Sequence, residues 1–155
     1  MGSEIEKKFR VFEWDGGACG TGTHIEQGYL AFNPEVRVRI RGEQAFITIK
    51  GPRQEHPDVL IRPEFEYAIP LGDAKALLHY CLGRLSKTRF VAGRFEIDVF
   101  HGPLQGLVLL EAELLEPTEE LEMPASIKAV DVTNDPRFLN HRLALVTSFD
   151  QLVLG

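Results

Sequence analysis

The stretch Val36-Arg37-Val38-Arg39-Ile40-Arg41 alternates strictly between β-branched apolar residues and arginines. Side chains of a β-strand point alternately to its two faces, so this pattern predicts a strand with one apolar face and one face of arginine alone. Like charges that lie side by side repel each other unless groups of opposite sign separate them. The arginine strand therefore predicts neighbouring strands that present carboxylates to the same side of the sheet.

The same alternation predicts further strands at Glu4–Val11, Ala45–Lys50, Arg62–Ile69, Arg94–Phe100 and Leu107–Leu115. Their polar positions are nearly all charged and are sorted by sign: Glu4, Glu6 and Lys8, then Lys50, then Arg62, Glu64 and Glu66, then Glu96 and Asp98, then Glu111 and Glu113. A sheet with one solvated face also alternates between apolar and polar residues. The sorting by sign favours a functional surface over that simpler explanation.

Two segments have helical rather than strand character. Asp73 is a candidate N-cap for a helix that ends near Leu85, and Asp135-Pro136 is an N-cap followed by proline for a helix through roughly Ala144. The chain shows no internal repeat and no linker. We therefore predict a single domain over residues 1–155, mainly β (α+β), in which an antiparallel sheet carries a few packed helices.

A sheet of this kind can curl into a barrel whose charged face points inward. Unpaired charges in a low dielectric cost several kcal/mol each, so such a lumen requires a ligand that neutralises both signs. Arginine and lysine bind oxyanions, and carboxylates bind a hard cation. A short polyphosphate with Mg²⁺ or Mn²⁺ meets both requirements, whereas ligation by carboxylates alone argues against zinc or copper.

The overall composition excludes several classes of protein. The chain has 17 Lys and Arg against 23 Asp and Glu, a net charge of −6, which argues against a general nucleic-acid or membrane-surface binder. Cys19 and Cys81 lack metal-ligand spacing and are expected to be reduced thiols. The N-terminal residues contain no apolar targeting segment, and no apolar run approaches the roughly 18 residues of a membrane span. These features predict a soluble cytoplasmic protein.

The segment Glu4-Ile5-Glu6-Lys7-Lys8 resembles the Glu-x-Glu-x-Lys opening strand of the CYTH superfamily, the triphosphate tunnel metalloenzymes. Further segments resemble those of the family in the same order: Gln27–Leu30, Val36–Arg41, Phe46–Gly51, Arg62–Tyr67, Lys87–Phe90, Glu96–Gly102, Glu111–Glu113 and Asp131–Asn140. Together these segments cover essentially the whole chain. One departure is Ala68, which stands where relatives often carry a third glutamate.

The resemblance implies a closed eight-stranded antiparallel β-barrel (a tunnel), a triphosphate substrate and a divalent metal. By matching position, the metal ligands are Glu4, Glu6, Asp98, Glu111 and Glu113. The substrate-binding residues are Lys8, Arg37, Arg39, Lys50, Lys87 and Arg89, with Arg41 at the rim. The resemblance also implies that Glu64 and Glu66 bind a second metal or balance the charge of these basic residues. Lys8 and Tyr29 match the catalytic pair of the family, and it stays open whether Lys8 acts as a base or only binds phosphate.

These assignments lead to an inorganic triphosphatase that cuts tripolyphosphate into pyrophosphate and phosphate. A related adenylate cyclase and a thiamine triphosphatase are the enzymatic alternatives. A non-catalytic polyphosphate-binding module is the alternative from another class, but it would not require the acidic residues of the metal site. The expected partner is a small molecule that contains a triphosphate, with no nucleic acid and no membrane, and the resemblance is compatible with a homodimer.

Overall fold

The computed structural model describes residues 2–16 and 20–153, so the predicted thiol Cys19 lies outside the described residues. The strands are β1 (Gly2–Glu13), β2 (Thr23–Phe32), β3 (Glu35–Arg41), β4 (Gln44–Lys50), β5 (Leu60–Ile69), β6 (Gly83–Ala92), β7 (Phe95–Phe100), β8 (Val108–Glu113) and β9 (Lys128–Asp131). The helices are α1 (Leu71–Leu78), α2 (Asn140–Leu143) and α3 (Asp150–Val153), with short 3-10 turns at Gly102–Leu104 and Pro136–Phe138. None of the helices in the described ranges is long and apolar enough to cross a membrane.

Eight of the strands form a closed antiparallel barrel, which confirms the predicted fold. The strand order is β5-β4-β3-β2-β6-β7-β8-β1, and pairing between β1 and β5 closes the cylinder. The first strand is long enough to have two partners along the same edge. Its residues Gly2–Glu6 pair with β5, and its residues from Phe9 onward pair with β9, which extends the sheet beyond the barrel.

The register of the strands explains why the sequence sorts its charges by sign. Alternate residues of each strand point into the lumen. Lys8 lies opposite Glu111 on β8, and Arg89 lies opposite Asp98 on β7. An all-basic strand is therefore tolerated because the lumen also contains carboxylates from other strands.

The predicted helix from Asp73 to about Leu85 is wrong in both its cap and its end. The helix α1 begins after Pro70, and Asp73 lies in its first turn. The helix ends at Leu78, and Leu85 belongs to β6, which pairs along its length with β2. The leucine spacing predicts a helix through Leu85, but pairing with β2 places this residue in a strand of the barrel. The strand begins at Gly83, where an added Cβ would lie only 2.8 Å from the backbone oxygen of Ala144.

The strands β2 and β6 are absent from the strands predicted from alternation. On β2 the inward residues Ile25 and Gln27 differ in polarity, so no simple period appears.

At the C-terminal end, Asp135 caps a 3-10 turn by accepting a hydrogen bond from the Arg137 amide at 3.0 Å. The chain is extended at Leu139 before α2, so the single predicted helix through Ala144 is broken there.

The lumen is charged at one end and apolar at the other. We call the apolar end the rear end, where inward residues pack with the C-terminal segment: Tyr29, Leu85, Phe100 and Leu109 with Phe138 and Leu143. Outside the barrel, α1 packs on β3 and β4 through Ala74 and Leu78. The apolar core therefore fixes the barrel, and the other end is left for the charged residues.

Candidate functional site

A cavity of about 230 Å³ occupies the charged end of the lumen, and we call it the main cavity. It is lined by Glu4, Glu6, Arg37, Arg39, Arg41, Lys50, Arg62, Glu64, Glu66, Arg89, Glu96, Glu111, Glu113 and Asn140. Among these residues Asn140 is the one without a formal charge. A cavity that brings both signs together in this way suits a ligand that is itself both anionic and bound to cations.

We call Arg37, Arg39, Lys50 and Arg89 the basic wall of the main cavity. The first two of these residues lie on β3. The guanidinium of Arg37 donates to Thr48 Oγ1 at 3.2 Å and lies 3.7 Å from Glu66 Oε1. The Nε of Arg39 donates to Gln27 Oε1 at 3.0 Å. Burial and then the charges of Arg37 and Arg89 lower the pKa of Arg39 to about 9. The crowding of cations at this wall favours an incoming anion, because an anion would relieve their mutual repulsion.

Arg89 is held in place from behind by Asp98. Asp98 accepts two hydrogen bonds from the Arg89 guanidinium, at 2.8 and 2.9 Å. Its Oδ2 also lies 2.8 Å from Lys87 Nζ as an ion pair. Lys87 and Asp98 are 0% and 1% exposed in this pair, so both are buried behind the cavity lining. Burial and then the neighbouring cations lower the pKa of Lys87 to about 7, although Asp98 opposes this change.

The acidic wall of the main cavity consists of carboxylates on β1, β7 and β8, and some of them lie opposite each other. Its residues are Glu4, Glu6, Glu96, Glu111 and Glu113. Glu6 is in register with Glu113, and Glu96 is in register with Glu111. Burial, followed by the charges of Glu111 and Glu4, raises the pKa of Glu6 well above its usual value. Carboxylates placed directly opposite each other repel, and this arrangement is relieved by a bound cation.

The acidic wall therefore fits a hard divalent ion by the chemistry of its donors. Glu111 Oε1 is buried with no hydrogen-bond partner among the described residues, and it lies 3.6 Å from Lys8 Nζ. Glu4 is paired with Lys50, whose Nζ lies 3.2 Å from Glu4 Oε1. Within residues 2–16 and 20–153, no group of three acidic, histidine or cysteine side chains is close enough together to hold a metal ion. Glu4, Glu6, Glu111 and Glu113 line this wall and would hold such an ion.

The two predicted second-metal residues lie toward the mouth of the main cavity. Glu66 is 44% exposed and accepts a hydrogen bond from Thr48 Oγ1 at 2.9 Å. Glu64 lies beside Glu4, and burial followed by the Glu4 charge raises its pKa. Arg41 also lines the main cavity, and its guanidinium lies over the Phe46 ring, 5.2 Å from the ring centroid.

The catalytic pair expected from the resemblance lies deeper in the barrel. Lys8 Nζ donates to the Phe138 carbonyl at 2.9 Å. The Tyr29 hydroxyl accepts a hydrogen bond from Gln27 Nε2 at 2.9 Å, and burial raises the pKa of this tyrosine. A base role for Lys8 and Tyr29 stays a prediction, because each group has another partner in this arrangement.

Several residues of the site had no role assigned to them from the sequence. Arg62 lines the main cavity, and its guanidinium lies 3.2 Å from Glu35 Oε1. Its alternation with Glu64 and Glu66 already places it on the charged face of the predicted strand. Gln27 links Arg39 to Tyr29, and Asn140 reaches the cavity from α2. For these two residues the sequence offers no charge pattern that would mark them.

Glu35 gives a prediction about stability at acid pH. Burial alone would raise its pKa, but a hydrogen bond from His141 and then the charges of Arg62, Lys50 and Arg37 lower it from 4.5 to about 2. A carboxylate with a lowered folded-state pKa stabilises the fold above its unfolded pKa. We therefore expect Glu35 to contribute roughly 3 kcal/mol above pH 4.5, and this contribution to disappear as the pH falls toward 2.

Urea unfolding of wild type and Glu35→Gln at several pH values measures this contribution. The variant should be less stable at pH 6, and the difference should shrink toward zero near pH 2. Glu43→Gln, in the exposed turn between β3 and β4, is the matched control and should follow wild type. A difference between Glu35→Gln and wild type that does not change with pH would contradict the assignment.

A closed antiparallel barrel with carboxylates and guanidinium groups facing each other in its lumen defines a class of tunnel proteins. Residues 2–126 match the CYTH domain family, and the chain belongs to that family. It is 36% identical over 151 residues to an inorganic triphosphatase of Acetivibrio thermocellus, covering 92% of this chain and 94% of the relative. It is 32% identical over 157 residues to an inorganic triphosphatase of Nitrosomonas europaea, covering 92% and 97%.

The fold is also similar to that of solved structures. The fold is similar to the crystal structure of an inorganic triphosphatase, with a TM-score of 0.66, 30% sequence identity and coverage of 96% of this chain and 98% of that one. It is also similar in fold to a putative adenylyl cyclase from Hippeastrum, with a TM-score of 0.54, 14% identity and coverage of 74% and 80%. The second comparison concerns the fold alone.

Proposed function

We propose that this protein hydrolyses inorganic triphosphate to pyrophosphate and phosphate in its main cavity, with Mg²⁺ or Mn²⁺ as the cofactor. The observation that carries the proposal is the facing arrangement of the acidic wall and the basic wall around one cavity. The relatives named inorganic triphosphatase, at 36% and 32% identity, support the same reaction. In this reaction a water molecule attacks the terminal phosphorus and one P–O bond breaks.

The basic wall binds the phosphate oxygens in this proposal. Arg37, Arg39, Lys50 and Arg89 line the main cavity and would hold the three phosphate groups. Lys87 and Asp98 lie behind them, and Asp98 orients Arg89 rather than binding metal, because its oxygens are already engaged. Planar guanidinium groups suit this task, since they bind oxyanions through two parallel hydrogen bonds.

The acidic wall holds the divalent ion through Glu4, Glu6, Glu111 and Glu113. Such an ion, when bound, neutralises the charge that develops on the phosphoryl oxygens. Glu64 and Glu66, nearer the mouth, would balance the basic wall or bind a second ion. Lys8 supplies a buried positive charge beside Glu111 at 3.6 Å. The residues of this chain thus position the substrate and absorb its charge, which is most of what phosphoryl transfer requires.

The lining of the main cavity favours inorganic triphosphate over nucleoside or thiamine triphosphates. A nucleobase or a thiamine ring is usually held by aromatic or apolar side chains. Among the described lining residues all but Asn140 are charged. An organic group attached to the triphosphate would therefore extend toward the mouth and gain little binding there.

A phosphate-release assay tests the proposed reaction. Purified protein should release phosphate from tripolyphosphate only when Mg²⁺ or Mn²⁺ is present, and chelation should abolish the activity. ATP and thiamine triphosphate should be cut at least about tenfold less efficiently, which corresponds to about 1.4 kcal/mol in the transition state. A parallel measurement of cyclic AMP separates the cyclase alternative. Binding of tripolyphosphate without cleavage in any metal would instead indicate a polyphosphate-binding module.

The proposal extends to the chain as a whole. We expect residues 1–155 to act as one triphosphate tunnel domain in the cytoplasm, with reduced thiols. The net charge of −6 supports the absence of a nucleic-acid or membrane partner, since it repels polyanions. A homodimer stays a prediction that light scattering of the purified protein can test.

A further inference from the structure

A second cavity lies at the rear end of the barrel, beside the apolar core, and we call it the rear chamber. Its volume is about 160 Å³. It is lined by residues from the β2–β3 turn, the end of β4 with the following loop, the start of β5 and the C-terminal segment: Phe32, Asn33, Pro34, Glu35, Lys50, Gly51, Pro52, Arg53, Leu60, Arg62, Leu139 and His141. The rear chamber is thus a space separate from the acidic wall.

The balance of charge in the rear chamber differs from that in the main cavity. Its cationic residues are Lys50, Arg53 and Arg62, and its carboxylate is Glu35. The main cavity holds slightly more carboxylates than cationic groups. An anion is therefore favoured in the rear chamber without any metal, whereas in the main cavity it must face the acidic wall.

Two cationic side chains form the partition between the cavities, because Lys50 and Arg62 line both of them. Lys50 is held on the main-cavity side by Glu4, at 3.2 Å. Arg62 is held on the rear side by Glu35, also at 3.2 Å, and His141 Nδ1 lies 3.1 Å from the same Glu35 oxygen. An anion that moves from one cavity to the other would stay in contact with these two cations.

We propose that the rear chamber is a binding site for inorganic phosphate, separate from the main cavity. Its volume suits a single tetrahedral anion with bound water. The apolar side chains of Phe32, Leu60 and Leu139 restrict the remaining space. The rear chamber also takes the orthophosphate released in the main cavity, a role that rests on the proposed triphosphatase function.

Arg53 gives the sharpest test, because it lines the rear chamber but not the main cavity. Its guanidinium donates to Asn134 Oδ1 at 2.9 Å, so it is already directed by a neighbour. In metal-free buffer, calorimetric titration with orthophosphate should show saturable binding to wild type. Arg53→Glu should weaken this binding at least about tenfold, since it replaces an attractive charge with a repulsive one.

Two matched controls separate a local effect from a general one. Arg84→Glu makes the same charge change on an exposed residue of β6 and should leave orthophosphate affinity within about twofold, because distant surface charges are screened. Leu139→Trp should also weaken binding by filling the rear chamber without changing its charge. Leu145→Trp, at a half-exposed position, is the control for the added indole.

The possible results decide between the sites. Equal weakening by Arg53→Glu and Arg84→Glu, or no saturable binding to wild type, would overturn the proposal. A loss of binding in Arg37→Gln with none in Arg53→Glu would place the anion in the main cavity and would also overturn it. Tripolyphosphate hydrolysis is measured separately. A chain that binds orthophosphate through Arg53 but cuts no tripolyphosphate would contradict the proposed function and leave the rear phosphate site standing.

Discussion

Glu6→Gln is expected to lower metal-dependent phosphate release at least about a hundredfold while leaving the metal-free protein as stable as wild type. Bound metal contributes several kcal/mol to stabilising transition-state charge, and each 1.36 kcal/mol is a factor of ten in rate. The stability of the metal-free fold should not fall, because Glu6 is buried beside Glu4 and Glu111, and burial and their charges already raise its pKa. An amide removes a carboxylate that is costly to keep ionised without a cation.

Thermal melting with and without Mg²⁺ or Mn²⁺ separates the two effects. Wild type should melt at a higher temperature when the ion is present, by ordinary linkage, and Glu6→Gln should lose this increase. Its melting temperature in chelator should be equal to or above that of wild type. Glu43→Gln serves as the control, because it removes a carboxylate from an exposed turn. Retained activity in Glu6→Gln would remove Glu6 from the metal site.

Asp98→Asn, unlike Glu6→Gln, is expected to destabilise the metal-free protein. Asp98 compensates two buried cations, through two hydrogen bonds to Arg89 and an ion pair with Lys87. Breaking a buried pair by removing one partner typically costs about 3–5 kcal/mol. For a chain of this size each kcal/mol corresponds to roughly 2–4 °C in Tm, so the variant should melt about 6–20 °C below wild type.

This loss should be the same in the presence of a chelator, because it does not depend on metal. The Michaelis constant for tripolyphosphate should also rise, as Arg89 loses the group that orients it. Glu96→Gln is the matched control, since Glu96 Oε2 lies 3.2 Å from the same Arg89 but is 44% exposed. An exposed pair of this kind is worth about 0–1 kcal/mol. A destabilisation of Asp98→Asn that appears only when metal is present would instead favour the metal-ligand role predicted from the sequence.

Most of the strands and most of the charged cavity lining could be predicted because they rest on a two-residue period. Arg37 and Arg39 share a face of β3, and Glu4 and Glu6 share a face of β1, so local alternation already assigned them to one surface. The opposite signs on different strands favoured a barrel with this face inward, and the closed eight-stranded form was implied by the resemblance to the family.

The remaining features depend on contacts between distant parts of the chain. The contact between Asp98 and Arg89 comes from the pairing of β7 with β6, which alternation cannot show. Glu35 acquires its role only when His141 arrives from the C-terminal segment. The helical spacing of leucines up to Leu85 was also misleading, since the pairing of β6 with β2 took precedence over local propensity.

The long first strand has a consequence for how the molecule assembles. Every partner strand of β1 (β5, β8 and β9) is distant from it in the chain. The backbone N–H of Lys8 also donates a hydrogen bond to Thr133 Oγ1, 125 residues further along the chain. A high contact order slows folding, because loop entropy is lost before non-local pairing compensates it. In a growing chain the edge of β1 that pairs with β8 therefore stays unpaired until residues 108–113 are synthesised. Closure of the cylinder is then the late step at which pairing partners and opposite charges come together.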